Sequence, residues 1–159
     1  HGVAYQAQVF SIRIDQPGSC QPNGAGTEND CNLSGLVTGI DQAVARGLRI
    51  INLSLGGEDG TPLPNSVRLA LQRAVNAGAL VVVSSGNDGL REPNWPAIFA
   101  GQPGSNGQVV AVGAIDLNGD IASFTNRAAA TQNFYLLAPG RRLIAAGPDD
   151  NKVSPSLPA

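Results

Sequence analysis

Methionine is absent from this sequence of 159 residues, histidine occurs once, cysteine twice, and aromatic residues make up only 4%. Each scarcity excludes something. So few rings leave a core to be built from Val, Ile, Leu and Ala. One histidine, at position 1, and two cysteines cannot supply the four ligands of a structural zinc site. Charged residues are 14% of the chain with a net charge of −2, so no basic field attracts nucleic acid or an anionic membrane. No apolar run approaches the ~20 residues of a membrane span and no signal peptide is visible, absences that exclude little in a sequence without its natural start. A natural full-length product begins with methionine; lacking one, the sequence reads as a processed form or an excerpt.

What is present fits one globular domain. The hydrophobic fraction is 42%, and 20 glycines occur without a collagen-like period, as turns and close-packed backbone require. Cys20 and Cys31 flank QPNGAGTEND, a polar, turn-rich stretch. A disulfide closing such a loop suits an oxidising compartment. Two free thiols are the alternative.

Along the chain, the opening GVAYQAQVFSIRI reads as a strand: Val3, Tyr5 and Ala7 alternate with polar residues and the rest is β-rich. Leu33, Leu36, Val37, Ile40, Ala43 and Val44 then recur at helical spacing, predicting an amphipathic helix that ends near Gly47. RIINLSLGG is a short apolar strand. Asn65 is placed to cap a second helix, with Val67, Ala70, Leu71, Ala74 and Val75 on one face and Gly78 at its end. ALVVVSS has the unbroken apolar run of a strand covered on both faces. QVVAVGAID, NFYLLAPG and RRLIAAG complete the strands. Strands alternating with helices predict an α/β domain with a doubly wound, largely parallel sheet, in which function gathers at the carboxyl ends of the strands.

Two such ends carry glycine: Ser54-Leu55-Gly56-Gly57 and Ser84-Ser85-Gly86-Asn87. The Asn87 amide can donate a hydrogen bond to an anionic oxygen; by local composition alone, Gly-Asn-Asp-Gly reads first as an ordinary turn. SLGG can let an extended peptide approach its backbone, or can simply border a helix. A phosphate loop is excluded, because neither SLGGEDGTP nor GNDGLREP has the required glycine and Lys-Ser/Thr spacing. A Ser-His-Asp triad is also missing. His1 sits at a terminus, and Ser154 and Ser156 lack the preceding glycine and the following helix.

Five segments, in order, resemble the subtilisin-like serine proteases, or subtilases. HGVAYQAQVFSIRI is similar to their GVA strand, and GIDQAVARGLRIINLSLGG to their helix-strand unit ending in S-L-G-G. ALQRAVNAGALVVVSSGNDG resembles the unit ending in G-N-(E/D)-G. VVAVGAIDLNGDIASFTN and LLAPG resemble the V-G-A and A-P-G segments that follow. The resemblance implies a subtilisin-like fold, incomplete at both ends, and hydrolysis of peptide bonds in polypeptide substrates through an acyl-enzyme. It matches Asn87 to the asparagine that stabilises the oxyanion. Ser54, Leu55 and Gly56 match the segment that pairs with substrate backbone, and Ser84, Ser85 and Gly86 match the other wall of the primary specificity pocket.

The departures are as informative. The family's catalytic Asp and its H-G-T-H-V-A-G histidine precede the GVA strand, and HGVAYQA lacks the T-H-V-A-G that would mark His1 as the base. The nucleophile of G-T-S-x-A-x-P should follow LLAPG, and that motif is not met. Residues 1–159 are therefore expected to be a partial peptidase domain, inactive alone and self-associating through apolar surface that the central helix would cover. Calcium is common in the family; Asp88, Asp116 and Asp120 are ligands only in the sense that any exposed carboxylate is, and no metal ligand is assigned. The family and the cysteine pair imply a secreted or cell-surface bacterial protein. A histidine before GVA, together with the cysteine loop, is similar to secreted or autotransported proteases of Gram-negative bacteria. A different class is a non-catalytic subtilase-like domain binding extended peptides through the SLGG edge.

Overall fold

The structure, a computed structural model, describes residues 6–22, 29–57, 60–141, 143–146 and 153–157. Its contacts divide the chain into two compact units, His1–Gly39 and Ile40–Ala159.

In the first unit, β1 (Gln21–Pro22) and β2 (Asn29–Asp30) pair antiparallel, with Gln21 opposite Asp30. A disulfide joins Cys20 and Cys31 beside this short ladder, at a Cα–Cα distance of 4.1 Å. Asn32 organises the exit from the loop: its backbone N–H donates to Ser19 Oγ (3.0 Å), and its Oδ1 accepts from Ser34 N–H (3.0 Å) in an Asx turn. Gly35 follows, and its N–H donates to the Ile14 carbonyl at 2.9 Å. A Cβ on Gly35 would lie 2.6 Å from that oxygen, so only glycine permits the approach.

The strand expected at the start is not formed over the described residues 6–14; residues 1–5 lie outside the description. Val9 is 90% exposed. Alternation gives a segment two faces, but a strand also needs a neighbour whose N–H and C=O complete its ladder. Here Ile14 O accepts from Gly35 N–H, a residue that opens a helix and not a neighbouring strand.

The division between units falls within α1 (Leu36–Ala45), whose Leu36, Ile40 and Ala43 are buried as the helical spacing predicts. In the second unit α2 (Asn65–Asn76) buries Val67, Ala70, Leu71, Ala74 and Val75, the face expected. Both helices stop alike. Leu48 N–H returns to Ala43 O and Ala79 N–H to Ala74 O, around Gly47 (φ +67°) and Gly78 (φ +79°). This is the Schellman closure that a left-handed glycine makes cheap. Asn65 is not the cap: the cap position is Pro64, with no side-chain bond, and Asn65 Oδ1 accepts from Arg68 inside the first turn. Proline's preset φ suits that position.

The sheet is made of β3 (Ile50–Leu53), β4 (Leu80–Ser84), β5 (Val109–Ile115) and β6 (Tyr135–Pro139), all parallel and in chain order. Ile51 lies opposite Val81 and Val81 opposite Val109, and those side chains are buried together with Leu53, Val83 and Ala111. α2 packs against β4, and the turn Ala97–Gly101 brings the fully buried Phe99 against β5. Coverage of β4 on both faces is not met among the described residues. On the opposite face Ile50 is 69% exposed, its neighbour Leu80 38% and Leu136 61%. Beyond the sheet, β7 (Leu143–Ala146) pairs antiparallel with β8 (Val153–Leu157), a strand the Ser-Pro sequence did not signal.

Candidate active site

β3 and β4 are parallel neighbours, so the segments leaving their carboxyl ends, 54–57 and 85–89, emerge side by side. The third wall comes from Asn94 and Trp95. Asn94 N–H donates to Ser85 O (3.0 Å), while Gly57 N–H donates to Trp95 O (2.9 Å), so one short stretch ties both glycine loops. A Cβ placed on Gly56 would lie 3.7 Å from Asn94 Cβ, and one on Gly86 would lie 3.0 Å from Asn94 Nδ2. The Asn94 side chain thus stands between the two glycines, its amide donating to Asp88 Oδ2 (3.1 Å). The Trp95 indole lies over Gly57, where any Cβ would overlap the ring, and donates from Nε1 to Thr61 Oγ1 (2.9 Å).

Six of the seven residues expected from sequence border this junction. Ser54 and Gly56 are exposed; Leu55, Ser84, Gly86 and Asn87 are half-buried. Ser54 Oγ accepts from Asn52 Nδ2 at 3.0 Å. Ser85 differs. It is buried, and its hydroxyl lies 3.3 Å from Thr125 Oγ1 and 3.1 Å from Tyr135 Oη, in the interior rather than on a pocket wall. Its contribution at the junction is its backbone carbonyl.

Chemically, the junction offers a side-chain amide at a strand end, backbone made accessible by glycine, and a floor of asparagine. That combination can polarise a carbonyl oxygen and hold an extended chain. Sequence reasoning missed Asn94. Its only local signal is its place before Trp95-Pro96 in a loop that had no assigned role. Asn94 also lines a surface groove of ≈ 970 Å³, together with Thr61, Leu63, Arg91, Trp95 and Ile98. None of the seven expected residues lines it.

The Subtilase family profile matches residues 1–157. The chain belongs to the subtilase family. Among its curated relatives, the thermostable alkaline protease of Halalkalibacterium halodurans is 36% identical over 124 residues, 78% of this chain and 29% of that protein. Subtilisin DY of Bacillus licheniformis is 31% identical over 153 residues, 96% of this chain and 49% of that protein. A solved structure, that of the prenylagaramide maturation protease PagA, superposes with a TM-score of 0.64 at 32% identity, over 76% of this chain and 42% of that one. The chain spans half or less of the length of each.

In this subtilase chain Asp116 and Asp120 share one turn, while Asp88 belongs to the Gly86–Leu90 segment. Asp116 Oδ1 accepts from the N–H groups of Asn118 (2.8 Å) and Asp120 (3.1 Å) in its own turn, and Asp88 takes Asn94. Among the described residues no three His, Cys, Asp or Glu side chains form a metal-binding group. No helix among them is long and apolar enough to cross a membrane.

Proposed function

We propose that these residues belong to a serine endopeptidase, in which Asn87 donates from its side-chain amide to the oxyanion of the tetrahedral intermediate. One observation carries the reading: in a chain of the subtilase family, the loop bearing Asn87 and the Ser54–Gly57 loop emerge side by side and are joined through Asn94 and Trp95. A donor aimed at a charge that exists only in the transition state raises kcat without tightening substrate binding. Ser54, Leu55 and Gly56 receive the substrate backbone as an added strand, and Ser84 to Gly86 form the facing wall. Ser85 acts there through its backbone, because its hydroxyl is committed to the interior. Asn94, between the walls, sets how deep a substrate side chain can reach.

By themselves the 159 residues are expected to hydrolyse nothing. The triad base must be an imidazole held between serine and carboxylate, and the only histidine is His1. They are also expected to self-associate through the apolar sheet face of Ile50, Leu80 and Leu136, since soluble monomers rarely leave such a surface open. The disulfide supports secretion, as such bonds persist in oxidising compartments.

The test is peptide hydrolysis by the intact protein, with and without a serine-directed phosphonate. Phosphonate-sensitive cleavage is expected. Tight peptide binding without cleavage would favour the non-catalytic domain instead, and robust cleavage by residues 1–159 alone would overturn the assignment of roles.

A further inference from the structure

Phe124, Thr125, Asn126 and Arg127 lie about 40 positions after Asn87 in sequence, yet nearly every described bond that shapes the Gly86–Leu90 turn ends on them. Gly86 O accepts from Asn126 N–H (3.1 Å), Gly89 N–H donates to Phe124 O (2.6 Å), and Leu90 O accepts from Arg127 N–H (2.8 Å). The Asn126 side chain completes the set. Its Oδ1 accepts from both Asp88 N–H (3.0 Å) and Leu90 N–H (2.9 Å). Asn126 therefore grips the chain on both sides of Asn87: through its backbone at Gly86, and through its carboxamide at Asp88 and Leu90.

The carboxamide is fully buried, and among the described residues its Nδ2 has no hydrogen-bond partner. An unsatisfied buried amide is unfavourable, so the residue's usefulness must lie in what Oδ1 and the backbone do. Nδ2 is pressed instead against Gly86, whose φ of +102° and missing Cβ make room for it; a Cβ there would overlap Nδ2. Asn126 is itself held from behind. The Tyr135 hydroxyl donates to Asn126 O and lies 3.1 Å from Ser85 Oγ, which lies 3.3 Å from Thr125 Oγ1, and that oxygen accepts from Ala114 N–H (2.9 Å). A chain of polar contacts thus runs from strands β5 and β6 to the turn, inside the core, where such contacts are rigid and strong.

We propose that Asn126, braced by Tyr135, is the positioning residue of the oxyanion loop: it holds Gly86–Leu90 in the one shape that presents Asn87 to the reacting oxygen. The inference rests on the protease reading above. Preorganisation is where such a donor's value lies, and a misplacement of about 1 Å can cost about 100-fold in rate. Asn126 need not touch substrate at all.

A double-mutant cycle in the intact protease tests this, with kcat and KM measured for Asn126→Ala, Asn87→Ala and the pair. Asn126→Ala alone is expected to lower kcat by about 10- to 100-fold with little change in KM. In the Asn87→Ala background the same change should lower kcat less than about 3-fold, since a misplaced loop no longer has a donor to misplace. Equal losses in both backgrounds would overturn the proposal and leave Asn126 a purely structural residue, with the protease reading intact. If Asn87→Ala itself leaves kcat unchanged, the oxyanion assignment fails instead. Should Asn126→Ala not fold, Tyr135→Phe, which removes one hydroxyl, must show the same non-additivity at smaller amplitude; additive losses there would refute the bracing.

Discussion

Replacing Gly86 with alanine separates two costs that a glycine can conceal, backbone conformation and space. At φ +102° an L-residue is strained by about 1–3 kcal/mol. The new Cβ would also overlap Asn126 Nδ2 and sit 3.0 Å from Asn94 Nδ2. Neither neighbour yields freely: Asn126 is buried with two backbone donors on Oδ1, and Asn94 is tied to Asp88 and Ser85. Overpacking of that kind adds about 1–3 kcal/mol. Gly47 supplies the control, because its φ is +67° and nothing lies within 4 Å of its Cβ position, so alanine there costs only the conformational part, about 1–2 kcal/mol. In urea unfolding of the intact, inhibitor-blocked protein, Gly86→Ala should therefore be less stable than Gly47→Ala by about 1–3 kcal/mol at unchanged m-value. Two variants agreeing within about 0.5 kcal/mol would refute the packing described for the Gly86–Asn126 contact.

Three other expectations follow from single features. Leu71, with no exposed surface in α2, should lose about 2–5 kcal/mol on Leu71→Ala, whereas Leu69, 40% exposed on the same helix, should lose under about 1; equal shifts in thermal melts would contradict the helix orientation. Replacing Cys20 and Cys31 by serine should destabilise the first unit by about 3 kcal/mol on chain-entropy grounds, and reduction of the native protein should raise its mass by about two units; an unchanged mass contradicts the bond. The Arg13 guanidinium, hydrogen-bonded to Asp15 at 2.8 Å, lowers that carboxyl below the ordinary aspartate range. Folding is thus favoured by this pair at neutral pH, and the contribution disappears as pH falls through the carboxylate range. Arg13 is exposed and Asp15 half-buried, so salt still reaches the pair and an NMR titration of Asp15 should move back toward the ordinary value in 1 M salt; a salt-independent midpoint would contradict the pairing.

How far the sequence reveals this fold depends on the range of the interaction. Helical spacing identified all five buried residues of α2, because that pattern is written within twelve residues. The apolar runs located β3 to β6 for the same reason. Residues 6–14 also carry a strand's composition, but pairing depends on a neighbour that no local pattern names. Glycine marked the ends of both helices correctly, through a backbone need that the sequence displays directly. Asn87 and its flanking residues were singled out by the family motifs around them, not by local composition. Ser85 was legible as a loop residue only, its inward hydroxyl being decided by Thr125 and Tyr135 across the core. Asn94 and Asn126 gave no local sign: one serves a loop seven positions away, the other a loop about 40 away, and composition marks each as an ordinary turn residue.

The most direct measurement is the steady-state kinetics of Asn87→Ala in the intact protein. A fall in kcat of about 10²–10³-fold is expected, the loss known for the oxyanion donor of subtilisin, with KM essentially unchanged. A variant that keeps wild-type kcat, or one whose loss falls wholly on KM, would contradict the assignment of Asn87 as the oxyanion donor.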